Sequence, residues 1–203
     1  MFAARTEAAL AEPDGSPSLR RATEALPAGG SVLDVGAGGG AGSLPLAPAA
    51  ALVMAVDQGA EMLASFAATA DRLGVAHREV QGSWPEVAAD VEAADVVVCH
   101  HVFYNVAELV PFATALSTHA RHRVVVEITA EHPTASQRPL WRTLHGIERP
   151  TSPTADDALA VLTEMGLEVG HEQFERSWQP PSADMAHTVA MTRRRLCGTR
   201  AGC

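Results

Sequence analysis

Two adjacent histidines, His100 and His101, close an apolar run at residues 95–99 and stand just ahead of Phe103, Tyr104 and Asn105. An unperturbed imidazole titrates at about pH 6.5, so a histidine at a strand's carboxyl end is a candidate general base. Side chains alternate between the faces of a strand, which sends the two rings to opposite sides and lets only one of them reach a site. Both also suit a plainer task, capping the strand and packing against its neighbours. Phe103, Tyr104 and Asn105 are residues that could shape a substrate pocket beside such a base.

A second chemical feature lies upstream, in the run Val32-Leu33-Asp34-Val35-Gly36-Ala37-Gly38-Gly39-Gly40-Ala41-Gly42. An apolar strand ends, the chain turns tightly, and a helix is due. Glycines there permit positive φ and let backbone approach a ligand closely. The helix start that follows offers free N–H groups to an anionic group. Asp57 ends the next apolar run, twenty-one residues after Gly36. An acid at that distance can accept both ribose hydroxyls of an adenosine-containing cofactor. Together they point to a nucleoside cofactor at the carboxyl edge of a parallel sheet; a glycine-rich turn without a ligand is the alternative.

The elements that must position these groups follow a strand–helix alternation. Runs at 31–35, 52–56, 76–80, 95–99 and 123–128 are short and apolar on successive positions, as strands covered on both faces are. Helical spacing marks Leu63, Phe66, Ala67, Ala70 and Leu73, and again Val106, Leu109, Val110, Ala113 and Leu116. A third helix starts at Thr154, with Asp157 three residues on as in a capping box, and stops at Gly166. A leading helix spans 18–26. Residues 130–153, with four prolines, break the alternation and read as an inserted flap. Residues 167–175 and 185–193 look like two strands too close in sequence for a crossover helix, so they should pair antiparallel. The expectation is one α/β domain over 1–203, doubly wound around a mostly parallel seven-stranded sheet.

Asp34-Val35-Gly36-Ala37-Gly38-Gly39-Gly40 resembles the (D/E)xGxGxG motif of the class I S-adenosylmethionine-dependent methyltransferases. Val56-Asp57-Gln58, followed by Glu61-Met62-Leu63, is similar to that family's second-strand motif, and the closing strand pair is similar to its antiparallel seventh strand. The likeness covers residues 18–193. It implies S-adenosylmethionine as cofactor, contacted by Asp34, Gly36, Ala37, Gly38, Gly40, Asp57, Gln58, Ser83, Trp84 and His100. Asp57 would bind the ribose, and Asp34 would help hold the methionine end through water or backbone. Ser83 stands where family members often have an aspartate for the adenine amine, and Trp84 either covers the adenine or packs in the core. Pro45 and Pro48 would make the helix after the loop short or bent. The family's substrate lids follow the fifth strand, which puts Glu127, His132, Trp141 and His145 near the acceptor, with Trp141 as a substrate contact. His100 or His101 would be the base.

Gly36, Gly38 and Ala41 also fit the dinucleotide pattern GxGxxA. An NAD(P)-binding oxidoreductase is therefore one competing reading, and a non-catalytic cofactor-binding protein another. Asp34 would sit badly beside a pyrophosphate, and all fifteen basic residues are arginine, so a Tyr-x-x-x-Lys signature is impossible. The missing lysine likewise excludes Walker-type loops and Schiff-base catalysis. A net charge of −9, with four of the arginines gathered in 192–203 as a solvated basic tail, argues against nucleic acid as partner. Cys99, Cys197 and Cys203 form neither a disulfide framework nor a zinc site, and no metal is expected. No apolar run approaches the roughly 20 residues of a membrane span. The reading is a cytoplasmic protein acting on a small-molecule methyl acceptor.

Overall fold

The computed structural model describes residues 2–12, 16–175 and 185–196. Five strands, β1 (Gly30–Val35), β2 (Ala50–Asp57), β3 (Ala76–Gln81), β4 (Ala94–His100) and β5 (Ala120–Glu127), form one sheet in the order β3-β2-β1-β4-β5. Every pairing is parallel. Among the described residues seven helices accompany them: α1 (Phe2–Leu10), α2 (Pro17–Ala25), α3 (Ala60–Leu73), α4 (Leu109–Thr118), α5 (Arg138–His145), α6 (Ala155–Glu164) and α7 (Met185–Arg195).

The continuous apolar runs of the strands serve two cores at once. Alternate residues Val32, Val53, Val96 and Val98 face one layer with Ala22 of α2 and Leu63, Phe66 and Ala70 of α3. Their neighbours Leu33, Met54, Val97 and Cys99 face the other, with Phe112 and Leu116 of α4 and Ala158 of α6. This is the expected signature of a sheet covered on both faces. Helices α2, α3, α4 and α6 fall where spacing and caps predict them. Thr154 and Asp157 form the reciprocal capping box of α6, and α2 starts at Pro17 under a Ser16 cap.

Strand order places the site. From β1 the chain moves outward through β2 and β3, then returns across β1 to β4 and continues to β5. The segments after β1 and β4 therefore leave the sheet in opposite directions, and a crevice opens between them, the place where open α/β sheets bind ligands. Those two segments are the glycine loop and the His100–Asn105 turn.

The helix after the loop is short, as its prolines imply: a single 3₁₀ turn, Leu44–Leu46, with Pro45 inside it. Two expectations change. The flap contains a 3₁₀ turn, Ala135–Gln137, that runs into α5, opened by Pro139 and closed at Gly146 with φ +65°. The closing strand pair is not formed among the described residues: 167–175 hold no regular element, and Met185–Arg195 is helical. Alanine, methionine and arginine in that last run favour helix, and Gly170 interrupts the first. The nine residues between, 176–184, and the tail beyond 196 lie outside the described residues, so the sheet is parallel and five-stranded over what is described. None of the described helices is long and apolar enough to cross a membrane.

Phe66 is fully buried between α3 and the glycine loop. Phe66→Ala should lower unfolding free energy by about 3–5 kcal/mol, read from urea denaturation. A loss under about 1 kcal/mol would mean that the layer is not packed as described.

Candidate active site

The glycine loop is held by its own protein before any ligand is considered. Gly36, Gly38 and Gly40 have φ of +75°, +53° and +87°. A Cβ on Gly36 would lie 2.2 Å from Val102 Cγ2, and one on Gly40 2.5 Å from Leu44 Cδ1 and 2.7 Å from Phe66. Both glycines are thus required by backbone conformation and by packing of the loop against the turn after β4 and the core. The Gly36 and Ala37 N–H groups donate to the Val56 carbonyl at 2.8 and 3.1 Å, and Thr6 of α1 donates to the Gly39 carbonyl at 2.9 Å.

Asp57 joins this loop to the end of β2. Its Oδ2 accepts the Gly38 N–H and its Oδ1 the Gly59 N–H, each at 2.8 Å. A carboxylate has about four lone-pair sites, so each oxygen keeps one for a hydroxyl. Asp34 lies deeper, 1% exposed, and accepts the Ser43 hydroxyl at 2.6 Å. Burial in the apolar layer, reinforced by the Asp57 charge and opposed by the Ser43 bond, pushes its carboxyl up to about 7.

Across the crevice, both histidines border the same cleft as Asp34 and the loop. Strict alternation predicted one. His101 lies just beyond β4 and has φ +61°, the one non-glycine residue with positive φ among those described, and so escapes the strand's alternation. Histidine tolerates this conformation better than most, yet it is strained, and such strain gathers at functional sites. His100 packs against Gly42, where a Cβ would come within 3.0 Å of its Nδ1.

His101 is held from three sides. Its backbone N–H donates to the Glu127 carbonyl at 2.7 Å, its Nε2 is 3.4 Å from Glu127 Oε1, and its Nδ1 is 3.3 Å from the Tyr104 hydroxyl. Glu127, 6% exposed, accepts the Ser18 hydroxyl of α2 at 2.6 Å. Tyr104 in turn bonds Thr129. A carboxylate at one ring nitrogen and a phenol at the other fix the orientation of the imidazole at the cleft. The sequence hinted at Glu127, an acid beside the flap after three valines, but nothing in it singles out Ser18, a helical serine 109 residues from its partner.

Other expected site residues lie elsewhere. Trp84 is in the core: its indole N–H donates to the Phe112 carbonyl at 3.3 Å and its ring meets His119 edge-on at 4.9 Å. Phe103 is buried edge-on against Phe112, with one side at the cleft. Gln58 and Asn105 are exposed, Ser83 is half-buried, and none of the three borders the cleft. Trp141 sits in α5, away from the cleft, under the Arg149 guanidinium at 4.9 Å. The loop and Asp34 border the cleft and fit the methionine end of an adenosyl cofactor; Asp57 is bonded to that loop at Gly38 but does not itself border the cleft. Of the two readings of Trp84, the core is the one the structure shows.

Residues 33–125 match the family model described as a methyltransferase domain. No curated protein matches the sequence. Among solved structures, the magnesium protoporphyrin IX methyltransferase of Synechocystis, solved with bound S-adenosylhomocysteine, superposes with a TM-score of 0.59 at 20% identity, over 83% of this chain and 74% of that one. A SAM-dependent methyltransferase of Thiobacillus denitrificans in complex with S-adenosylhomocysteine gives 0.54 at 20% identity, over 80% and 68%. The YcgJ protein of Bacillus subtilis gives 0.53 at 19%, over 72% of this chain and 66% of its own length. The shared feature is the fold.

The raised Asp34 carboxyl has a consequence for stability. The folded state holds this proton up to about pH 7, whereas the unfolded chain releases it near pH 3.8. The native state then binds more protons, so the Asp34 contribution falls as pH rises from about 4 to 7 and is level above. Asp34→Asn should remove that slope in urea denaturation series collected from pH 4.5 to 8. Identical slopes in wild type and variant would show that Asp34 is ionised in the folded protein throughout.

Proposed function

We propose that this chain, whose residues 33–125 match a methyltransferase domain model, is a class I S-adenosylmethionine-dependent methyltransferase that moves a methyl group to a small-molecule acceptor bound beside His101. The observation that carries the reading is the bond between the Gly38 N–H and Asp57 Oδ2, which makes the loop and the acid one binding surface. Asp57 then accepts the ribose hydroxyls on its remaining lone pairs. Asp34, reached through Ser43 and the loop backbone, favours the cationic methionine end.

When bound there, S-adenosylmethionine supplies an electrophilic sulfonium methyl. The chain's own work is alignment and proton removal. The crevice brings the acceptor against the loop, and the Glu127 carboxylate holds the His101 ring in place through Nε2. With Nε2–H donated to Glu127, His101 takes the acceptor's proton on Nδ1, in place of its contact with the Tyr104 hydroxyl, as the bond from sulfur to methyl breaks and the new one forms. This favours an acceptor with an O–H or a protonated N–H. Ser18 keeps Glu127 turned toward the imidazole. A chain with 24 acids against 15 arginines disfavours a nucleic-acid acceptor and supports a small one.

Calorimetry with S-adenosylmethionine, S-adenosylhomocysteine and NAD(H) tests the cofactor. The first two should bind in the micromolar range and NAD(H) should not; binding of NAD(H) alone would overturn the proposal. Asp57→Ala should weaken S-adenosylhomocysteine binding more than about tenfold, because two charge-assisted bonds to the ribose are lost. An unchanged affinity would rule out the ribose assignment.

A further inference from the structure

Outside the main cleft, a pocket of about 220 Å³ opens between the turn after β4 and the 132–153 segment, walled by Tyr104, His132, Arg138, Arg149, Thr151 and Ser152 among others. We propose that this pocket is the subsite for an oxyanion, a carboxylate or phosphate group, borne by the methyl acceptor. The inference rests on the methyl-transfer reading for its biological sense and on the pocket's own chemistry for the ligand.

That chemistry is unusual for this chain. It has 24 acidic residues, yet among the described residues none lines the pocket, and the carboxylate that reaches a wall residue, Asp157 at the Ser152 side chain, is committed to its helix cap. The nearby acids are already engaged. Glu131 takes the Arg138 guanidinium at 3.0 Å, Glu148 takes Arg142 at 2.7 Å, and Asp157 accepts the Thr154 N–H at 2.7 Å in its helix cap. Arg138 also donates to the Pro150 carbonyl at 3.1 Å, which fixes the segment that forms the opposite wall. Arg149 has no ion pair among the described residues. Its guanidinium is stacked over the Trp141 ring at 4.9 Å, which orders the side chain while leaving its in-plane N–H donors for a ligand.

The remaining polar groups also donate. His132 Nδ1 accepts the Thr134 backbone N–H at 3.1 Å, so in the neutral ring the proton is on Nε2. Thr151 brings a hydroxyl, whereas that of Ser152 is bonded to Asp157. A pocket rich in donors, holding an arginine ordered in advance and lacking acids, selects an oxyanion, to which a guanidinium bonds in a two-pronged fashion. Tyr104 connects this to the reaction. It forms part of the pocket wall, stacks against His132 edge-on at 5.5 Å, and its hydroxyl is 3.3 Å from His101 Nδ1. An acceptor anchored here by its oxyanion extends past Tyr104 and presents its nucleophile at His101. The flap thus chooses the acceptor while the cleft holds the cofactor.

The test follows the Trp141 indole and Arg149 side-chain N–H resonances of the ¹⁵N-labelled full chain. Inorganic phosphate and benzoate are titrated separately at constant ionic strength, and S-adenosylhomocysteine on a parallel sample. The proposal expects a saturable shift with at least one anion, weakened at least about fivefold in Arg149→Gln and unchanged in Arg142→Gln, whose charge is paired outside the pocket. The anion that saturates at lower concentration identifies the group. No saturable shift with either anion, or equal binding in Arg149→Gln, overturns the subsite; if S-adenosylhomocysteine still binds in that case, the methyl-transfer reading stands alone. Anion binding without S-adenosylhomocysteine binding overturns the acceptor assignment together with the methyl-transfer reading.

Discussion

The bond from the Gly38 N–H to the Asp57 carboxylate is the contact on which the site depends. It is possible only because β1 and β2 are parallel neighbours, so that their carboxyl ends emerge side by side, with Val35 opposite Val56. It needs a turn of glycines at positive φ, since a side chain at Gly36 would collide with Val102. It also leaves both Asp57 oxygens with capacity to spare. The loop is therefore preorganised: its shape is maintained by Val102, Leu44, Phe66 and Asp57 and does not have to be induced by a ligand, which lowers the cost of binding.

The other half of the site is built from further apart in the chain. His101 leaves β4 at a strained φ, Glu127 ends the neighbouring β5, and Ser18 comes from α2. A carboxylate 6% exposed needs partners to stay there. The Ser18 hydroxyl and the imidazole supply them, so the interactions that satisfy Glu127 also aim His101. The strand order that opens the crevice between β1 and β4 is what lets this dyad face the loop. Beyond it, the Tyr104 side chain, whose hydroxyl meets His101 Nδ1, also borders the pocket of the flap, which links the proposed base to the proposed subsite.

Much of the frame was legible in sequence because burial on both faces leaves uninterrupted Val, Leu and Ala runs, and because caps such as Thr154–Asp157 and Gly74 mark helix ends. Asp34, the glycines and Asp57 were legible because their types and spacing are tied to one turn and one strand end. Trp84 was ambiguous for a physical reason: an indole is equally at home over a nucleobase or in a core, and its partner, the Phe112 carbonyl, belongs to another element. The C-terminal strands failed as an expectation because 167–175 and 185–193 carry only weak alternation, and weak patterns are overruled by local helix preference.

The sequence by itself determined the parallel αβ framework, the glycine turn, the acid twenty-one residues on, and the absence of lysine chemistry. Each of these is local, carried by residue type and by periodicities of 2 and 3.6. Only the tertiary structure decided that both histidines border one cleft, that Glu127 and Ser18 hold His101, that Trp84 belongs to the core, and that Arg149 stacks on Trp141 with no carboxylate partner among the described residues. Those facts depend on which elements the fold brings together, up to 109 residues apart in the case of Ser18 and Glu127. No local pattern records such a distance.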